Sequence, residues 1–181
     1  MRILFSPPNL LTCARILLTP WIVLALIHGD CRKALWLSCV AGVTDGADGF
    51  LARRFGWASR IGAYLDPIAD KFLLTSLYVC FGISHLIPWW LVWLVVGRDV
   101  LILVLAGLGL LLTSRREFPP TLWGKVSTVA QIAAAVIFLC VCAFPFSLAE
   151  DLRSAAQVAV TAATAWSGVH YTWRALIWMR E

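Results

Sequence analysis

Five of the ten acidic residues stand inside or beside strongly apolar stretches, where an ionised carboxylate is costly. They are Asp45, Asp48, Asp66, Asp70 and Asp99. The first four are closely spaced, and four carboxylates that converge in a medium of low dielectric repel one another strongly. Hard divalent cations relieve that repulsion, and clusters of oxygen ligands are what Mg²⁺ and Mn²⁺ prefer. We therefore expect a site for a pair of metal ions, an arrangement that supports transfer of a phosphoryl group.

Helical spacing brings these four carboxylates together with several small residues. On a helix that advances about 100° per residue, one arc of roughly 140° contains the first group: Asp45, Asp48, Gly49, Ala52 and Arg53. A spacing of four residues places the second group in a stripe on the next helix: Gly62, Asp66 and Asp70. The two helices are expected to be antiparallel, so both groups lie close to one membrane face. The small residues leave room for a bulky ligand, and Arg53 is placed to bind a phosphate oxygen.

Two other interpretations of the acids are a set of structural ion pairs and a pathway for ions or protons. The two cations within apolar spans, Lys71 and Arg98, cannot neutralise five acids. Acids of an ion pathway usually spread across the depth of the membrane, whereas these four cluster at one face. A transporter of divalent cations or protons also has no need of a phosphate-facing Arg53 beside small residues. The spacing therefore favours the metal site.

The composition excludes a soluble or disordered protein. Of the 181 residues, 61% are hydrophobic and 14% are charged, against roughly 25% charged in an ordinary soluble domain. The net charge of +5 includes no run of Lys and Arg long enough to follow a nucleic-acid backbone, so we expect no nucleic-acid partner. The six cysteines form no C-x-x-C pair, and we expect them to pack as small apolar residues without a zinc site or disulfide framework.

Six apolar segments are long enough to cross a bilayer, since a spanning helix needs about 20 residues. They cover residues 12–29, 34–53, 62–84, 89–112, 126–145 and 154–178. The stretch from Ser6 to Arg15, with Pro7-Pro8 near its start, predicts a short interfacial amphipathic helix before the first span. The expected fold is therefore an all-α integral membrane protein with six transmembrane helices, in which residues 1–181 form a single domain.

Lysine and arginine residues predict the orientation in the membrane. With the N-terminus in the cytoplasm, ten of the fifteen lie on the cytoplasmic side, Arg15 among them. The opposite side holds Arg32, Lys33 and Arg153. Both termini and the acidic cluster are then expected at the cytoplasmic face, and the compact form of the chain suggests a bacterial plasma membrane. Small-residue faces on several helices permit a homodimer.

The stretch from Asp45 to Asp70 reads D-x2-D-G-x2-A-R-x8-G-x3-D-x3-D, and in this pattern the chain resembles the CDP-alcohol phosphotransferase family. Every fixed position of that family's signature is present, which argues against a catalytically silent relative. The opening Pro8-Asn9-Leu10-Leu11-Thr12, followed by Arg15, and the six-span layout extend the resemblance over nearly the whole chain.

The resemblance implies a role for each residue of the signature. The implied ligands of two divalent cations, Mg²⁺ or Mn²⁺, are Asp45, Asp48, Asp66 and Asp70. Asp70 would also act as the general base. The residues implied to line the CDP site, with Arg53 on the pyrophosphate, are Gly49, Ala52, Arg53 and Gly62. The implied reaction moves the phosphatidyl group of CDP-diacylglycerol to an acceptor hydroxyl and releases CMP.

The acceptor alcohol depends on residues in the second half of the chain. Candidate ligands of its anionic group are Arg98, Arg115, Arg116 and Lys125. The segment Gly124-Lys125-Val126 with Thr128 resembles family members that use glycerol 3-phosphate, which is the acceptor we expect. Arg98-Asp99, preceded by Leu86-Ile87-Pro88, resembles members that use phosphatidylglycerol and make cardiolipin, which is the alternative. The residues alone also leave open a simple ion pair between Arg98 and Asp99, and an ordinary loop role for Arg115 and Arg116.

Overall fold

The computed structural model of the chain describes residues 7–55, 60–112, 121–144 and 146–178, and every regular element in these ranges is an α-helix. The helices are α1 (Pro7–Ile27), α2 (Cys31–Phe55), α3 (Arg60–Ile83), α4 (Trp89–Leu112), α5 (Leu122–Ala143) and α6 (Ala149–Trp178). Each of the six predicted apolar segments corresponds to one of them, so the all-helical prediction is confirmed for the described residues. The single-domain prediction stays a prediction.

The first helix differs from our expectation. A separate interfacial helix from Ser6 to Arg15 is absent, because α1 runs without a break from Pro7 to Ile27. Proline is favoured in the first turn of a helix, where the missing N–H would have no partner, so Pro7-Pro8 starts the helix. No glycine or proline stands between Pro8 and Pro20, and the Thr19 hydroxyl donates to the Arg15 carbonyl oxygen at 2.9 Å. The first helix therefore begins at Pro7 rather than after a turn.

A tight turn joins α1 to α2. Gly29 adopts a positive φ of 77°, which ends α1 in the left-handed conformation that glycine tolerates best. Asp30 then caps α2, because its side-chain oxygen accepts from the backbone N–H of Lys33 at 3.1 Å. The chain thus reverses within the three residues that separate α1 from α2.

The described residues form two packed units. In the first, which comprises residues 1–86 and 142–145, α1 packs against both α2 and α3. Its fully buried side chains include Ile22, Tyr78 and Phe81. In the second, which comprises residues 87–141 and 146–181, α4 packs against α6. Its buried side chains include Leu91, Phe138 and Val160.

A disulfide corrects our expectation for the cysteines. Cys31, at the start of α2, is bonded to Cys142, near the end of α5, across a sequence separation of 111 residues. Their Cα atoms are 5.6 Å apart, inside the usual range for a disulfide. The neighbouring Arg32 donates from Nε to the Ala143 carbonyl oxygen at 3.2 Å, and its guanidinium lies over the Phe144 ring. The expectation was wrong because tertiary contact, not sequence spacing, pairs these two residues.

Within the described residues, α5 has the length and apolar composition needed to cross a membrane, and Ala14–Ile27 of α1 is a shorter apolar stretch. The remaining spans stay predictions.

We predict that reduction of the purified protein exposes two additional reactive thiols per chain, those of Cys31 and Cys142. Cys31→Ser should abolish the difference in thiol count between the reduced and the unreduced protein. It should also lower the free energy of unfolding by about 2–4 kcal/mol, because the cross-link no longer restricts the unfolded chain. Thiol titration under denaturing conditions, with and without prior reduction, measures the first effect. Cys80→Ser is the control, since Cys80 is a buried free thiol. Equal thiol counts before and after reduction of the unmodified protein would contradict the pairing.

Candidate active site

The backbone places the predicted acids on two consecutive helices. Asp45 and Asp48 lie in the second half of α2, whereas Asp66 and Asp70 lie in the first half of α3. Asp70 is the member of this group whose side chain the structure describes. The other signature residues belong to α2 or α3, but their side chains lie outside the described residues: Asp45, Asp48, Gly49, Ala52, Arg53, Gly62 and Asp66.

Asp70 forms an ion pair with Arg15 of α1. Nη1 of Arg15 donates to Oδ1 of Asp70. The Arg15 side chain is only 2% exposed, whereas that of Asp70 is 52% exposed. A buried guanidinium is costly unless a carboxylate or hydrogen-bond acceptors compensate it, so this contact holds α1 against α3. It also directs one oxygen of Asp70 while leaving the carboxylate accessible to a ligand.

Arg15 is a candidate functional residue that our sequence analysis missed, because we counted it among the cytoplasmic cations. The structure places it inside α1 and buries it. The available signal was its position in an unbroken apolar helix, where an arginine requires a partner.

The metal site that the carboxylates predict is not tested by the described side chains. Among those side chains, no three His, Cys, Asp or Glu residues converge. The donor set itself suits a hard divalent cation, because all four predicted ligands are carboxylates. Asp70 is consistent with that role, since it is accessible and its Oδ1 is held in place.

In the second unit, Arg98 of α4 is buried in a polar cluster. It pairs with Asp99 at 2.8 Å between Nη1 and Oδ1, which confirms the ion pair that the sequence left open. Nε and Nη2 donate to the Ser167 hydroxyl of α6 at 3.1 and 2.7 Å. Nη2 also donates to the Gly124 carbonyl oxygen of α5 at 3.2 Å. The guanidinium carbon lies 5.8 Å from the centre of the Tyr171 ring.

The same cluster organises the start of α5. Thr121 caps the helix, because its hydroxyl accepts from the backbone N–H of Gly124 at 3.1 Å. The Tyr171 hydroxyl accepts from the backbone N–H of Thr121, also at 3.1 Å. Gly124 has no space for a side chain, since a Cβ there would lie 2.5 Å from the Tyr171 hydroxyl oxygen. The next residue, Lys125, is exposed.

Of the four predicted acceptor ligands, Arg98 and Lys125 are therefore near one another in the fold, because both adjoin Gly124. Arg115 and Arg116 lie outside the described residues. Ser167 and Tyr171 are further members of the cluster that we did not predict. Their spacing of four residues on α6 was the available signal, since it puts two polar side chains on one helical face.

Comparison with known proteins is consistent with this arrangement. The sequence profile of the CDP-alcohol phosphatidyltransferase family matches residues 5–173. A protein of Mycobacterium tuberculosis H37Rv, named a probable phosphatidylglycerophosphate synthase, is 35% identical over 175 residues, which cover 93% of this chain and 80% of the relative. The CDP-diacylglycerol--glycerol-3-phosphate 3-phosphatidyltransferase of Escherichia coli K12 is 36% identical over 136 residues, which cover 72% of this chain and 74% of the relative.

A third relative carries a different name. A probable cardiolipin synthase (CMP-forming) of Drosophila melanogaster is 37% identical over 145 residues, which cover 70% of this chain and 44% of the relative. The family profile spans nearly the whole chain, and it contains both Arg15 with Asp70 and the cluster around Arg98. The chain belongs to the CDP-alcohol phosphatidyltransferase family.

Proposed function

We propose that the chain transfers the phosphatidyl group of CDP-diacylglycerol to a hydroxyl of glycerol 3-phosphate and releases CMP. The observation that carries the proposal is the ion pair between Arg15 and Asp70, which presents an accessible carboxylate on α3. The names of the mycobacterial and E. coli relatives support the choice of acceptor. The alternative acceptor is phosphatidylglycerol, which would yield cardiolipin. It is supported by the name of the Drosophila relative.

The proposed reaction assigns a proton transfer to Asp70. The acceptor's hydroxyl oxygen attacks the phosphorus of the phosphatidyl group, and its proton passes to the Asp70 carboxylate. The new P–O bond forms as the bond from that phosphorus to the bridging oxygen breaks, and CMP leaves with the bonding electrons. Arg15 contributes by holding Oδ1 of Asp70, so that the carboxylate does not have to be ordered at each turnover.

The proposed metal and nucleotide ligands come from the signature. Two divalent cations, Mg²⁺ or Mn²⁺, would be held by Asp45, Asp48, Asp66 and Asp70. When bound, such cations neutralise the charge of a pyrophosphate and of its leaving group. The proposed contacts to CDP are Gly49, Ala52, Arg53 and Gly62, where Arg53 binds a pyrophosphate oxygen and the small residues admit the nucleotide.

The proposed site for the acceptor's phosphate includes Lys125, with Arg115 and Arg116 from the preceding segment. Lys125 supports this assignment because it is exposed at the start of α5, where the backbone is tightly held. An ammonium group attracts a phosphate. The interpretation of the acids as a transporter's ion pathway finds no support in a chain that belongs to a family of transferases.

We propose that all six helices span a bacterial plasma membrane. Large apolar side chains are exposed on the described helices, which is rare on a soluble monomer; among them are Trp21, Trp36, Trp93, Leu103, Val158 and Val169. The bacterial relatives support the compartment. A homodimer stays a prediction from the small-residue faces.

The proposed orientation places both termini and the acidic cluster in the cytoplasm. The count of lysines and arginines supports it, with ten on the cytoplasmic side against three on the other side. The disulfide supports the same orientation independently, because Cys31 directly precedes Arg32 and Lys33 on the side that the charge count assigns outside. Disulfides form and persist in oxidising compartments outside the cytoplasm.

We predict that Asp70→Asn abolishes CMP release from CDP-diacylglycerol, a loss of at least about 100-fold, because the amide cannot accept the proton. The variant should still elute from size exclusion in detergent as the unmodified protein does. Asp151→Asn is the matched control, since Asp151 is an exposed carboxylate in the first turn of α6. Turnover of the Asp70→Asn variant near that of the unmodified protein would remove Asp70 as the base.

For the acceptor, we predict that purified protein supplied with CDP-diacylglycerol and Mn²⁺ forms phosphatidylglycerol phosphate when glycerol 3-phosphate is added. Phosphatidylglycerol, offered separately, should release no CMP above background. Chelation of divalent cations should stop the reaction. Exclusive formation of cardiolipin would replace the proposed acceptor by the alternative, and mass spectrometry of the lipid product distinguishes the two.

A further inference from the structure

Arg98 has its hydrogen-bonding groups directed into the protein. A guanidinium carries five N–H donors, and Nε, Nη1 and Nη2 of Arg98 all donate to neighbouring protein atoms. Asp99 supplies the opposite charge at 2.8 Å, so the pair is electrically neutral as a unit. The Arg98 side chain is only 6% exposed. With these contacts Arg98 orders the residues around it. It does not present its charge to a soluble phosphate.

The neighbours that Arg98 fixes are the first turn of α5 and the facing part of α6. Arg98 donates to the Gly124 carbonyl oxygen and to the Ser167 hydroxyl through the same nitrogen, Nη2. The cation therefore joins α4, α5 and α6 at one point. Ser167 is fully buried, so water does not compete for this contact.

A second anchor acts on the same turn. The Tyr171 hydroxyl accepts from the Thr121 N–H, and its ring lies beneath the Arg98 guanidinium. Gly124 packs so closely on Tyr171 that a methyl group there would displace the Tyr171 side chain. The turn from Thr121 to Gly124 is thus held at both ends, by Tyr171 at its start and by Arg98 at its end.

Lys125 continues directly from this held turn. Its backbone N–H donates to the Thr121 carbonyl oxygen at 3.2 Å, which makes Lys125 part of the capped turn, while its side chain is exposed. The position from which the Lys125 side chain leaves the helix is therefore set by the backbone of the turn from Thr121 to Gly124. A flexible lysine loses less entropy on binding an anion when its backbone is already ordered.

We propose that Arg98 is a positioning residue for the acceptor: it holds Gly124, and through it Lys125, so that the ammonium group meets the acceptor's phosphate. This inference rests on the proposed function, in which Lys125 binds that phosphate. The sequence predicted Arg98 as a ligand of the acceptor, whereas the proposed role is that of a residue that acts through Lys125. Ser167 and Tyr171 share the same role from α6.

The test compares Michaelis constants for the two substrates. Arg98→Lys keeps the charge but cannot reach Ser167 and Gly124 together, and Tyr171→Phe removes the hydroxyl that accepts from the Thr121 N–H. Each should raise the KM for glycerol 3-phosphate about five- to tenfold, the equivalent of one lost hydrogen bond, with kcat and the KM for CDP-diacylglycerol changed less than about twofold. If Arg98→Lys does not fold, Ser167→Ala and Tyr171→Phe carry the same test.

A double-mutant cycle separates positioning from direct contact. If Arg98 acts through Lys125, Arg98→Lys should change the KM for glycerol 3-phosphate less than about twofold in a Lys125→Ala background. Independent, multiplying effects of the two substitutions would show that Arg98 contacts the phosphate itself, and would overturn the proposal. An unchanged KM for glycerol 3-phosphate in Arg98→Lys or Tyr171→Phe, with only the melting temperature lowered, would overturn it as well.

The matched control is Thr161→Val on α6, because the Thr161 hydroxyl donates only within its own helix, to the Gln157 carbonyl oxygen. It should leave both Michaelis constants unchanged. Failure of the proposed function has a different signature, since the unmodified protein would then form no product from glycerol 3-phosphate at any concentration. The positioning role fails only when the unmodified protein is active and the variants do not show the selective rise in KM.

Discussion

A guanidinium buried in an apolar helix destabilises the fold unless a carboxylate or other acceptors compensate its charge. The contact between Arg15 and Asp70 provides that compensation. The buried cation of α1 is compensated by a half-exposed anion of α3. Removing the carboxylate would leave the buried Arg15 cation without its counter-charge. The contact therefore has two consequences: it secures α1 on α3, and it fixes the direction of the carboxylate to which we assign the proton transfer.

In the second unit, the buried Arg98 guanidinium is compensated in a different way. Arg98 is compensated by its chain neighbour Asp99 and by acceptors from two other helices, Gly124 and Ser167. Arg15 thus orders the carboxylate to which we assign the proton transfer, whereas Arg98 orders the backbone from which Lys125 extends. Two buried arginines, each costly alone, organise the catalytic and the acceptor-binding residues of the proposed reaction.

The periodic features of the sequence predicted the structure best. Apolar segment lengths predicted six helices, and the spacing of the aspartates assigned them to α2 and α3. Contacts between distant residues were not predictable, because one sequence contains no information on which helices meet. Arg15 with Asp70, Cys31 with Cys142, and Arg98 with Ser167 are all of this kind. The continuous α1 was missed for a local reason, since we interpreted Pro7-Pro8 as part of a separate interfacial helix rather than as the first turn of α1.

The turnover number of an Arg15→Gln variant tests the central claim, that a buried arginine holds the proton-accepting carboxylate. Glutamine removes the charge-assisted hydrogen bond while Asp70 remains accessible. We predict a kcat for CMP release that is about ten- to a hundredfold lower, with both Michaelis constants changed little. Arg153→Gln, which removes a surface ion pair with Glu150, should leave kcat unchanged. A folded Arg15→Gln protein with the kcat of the unmodified enzyme would contradict the account.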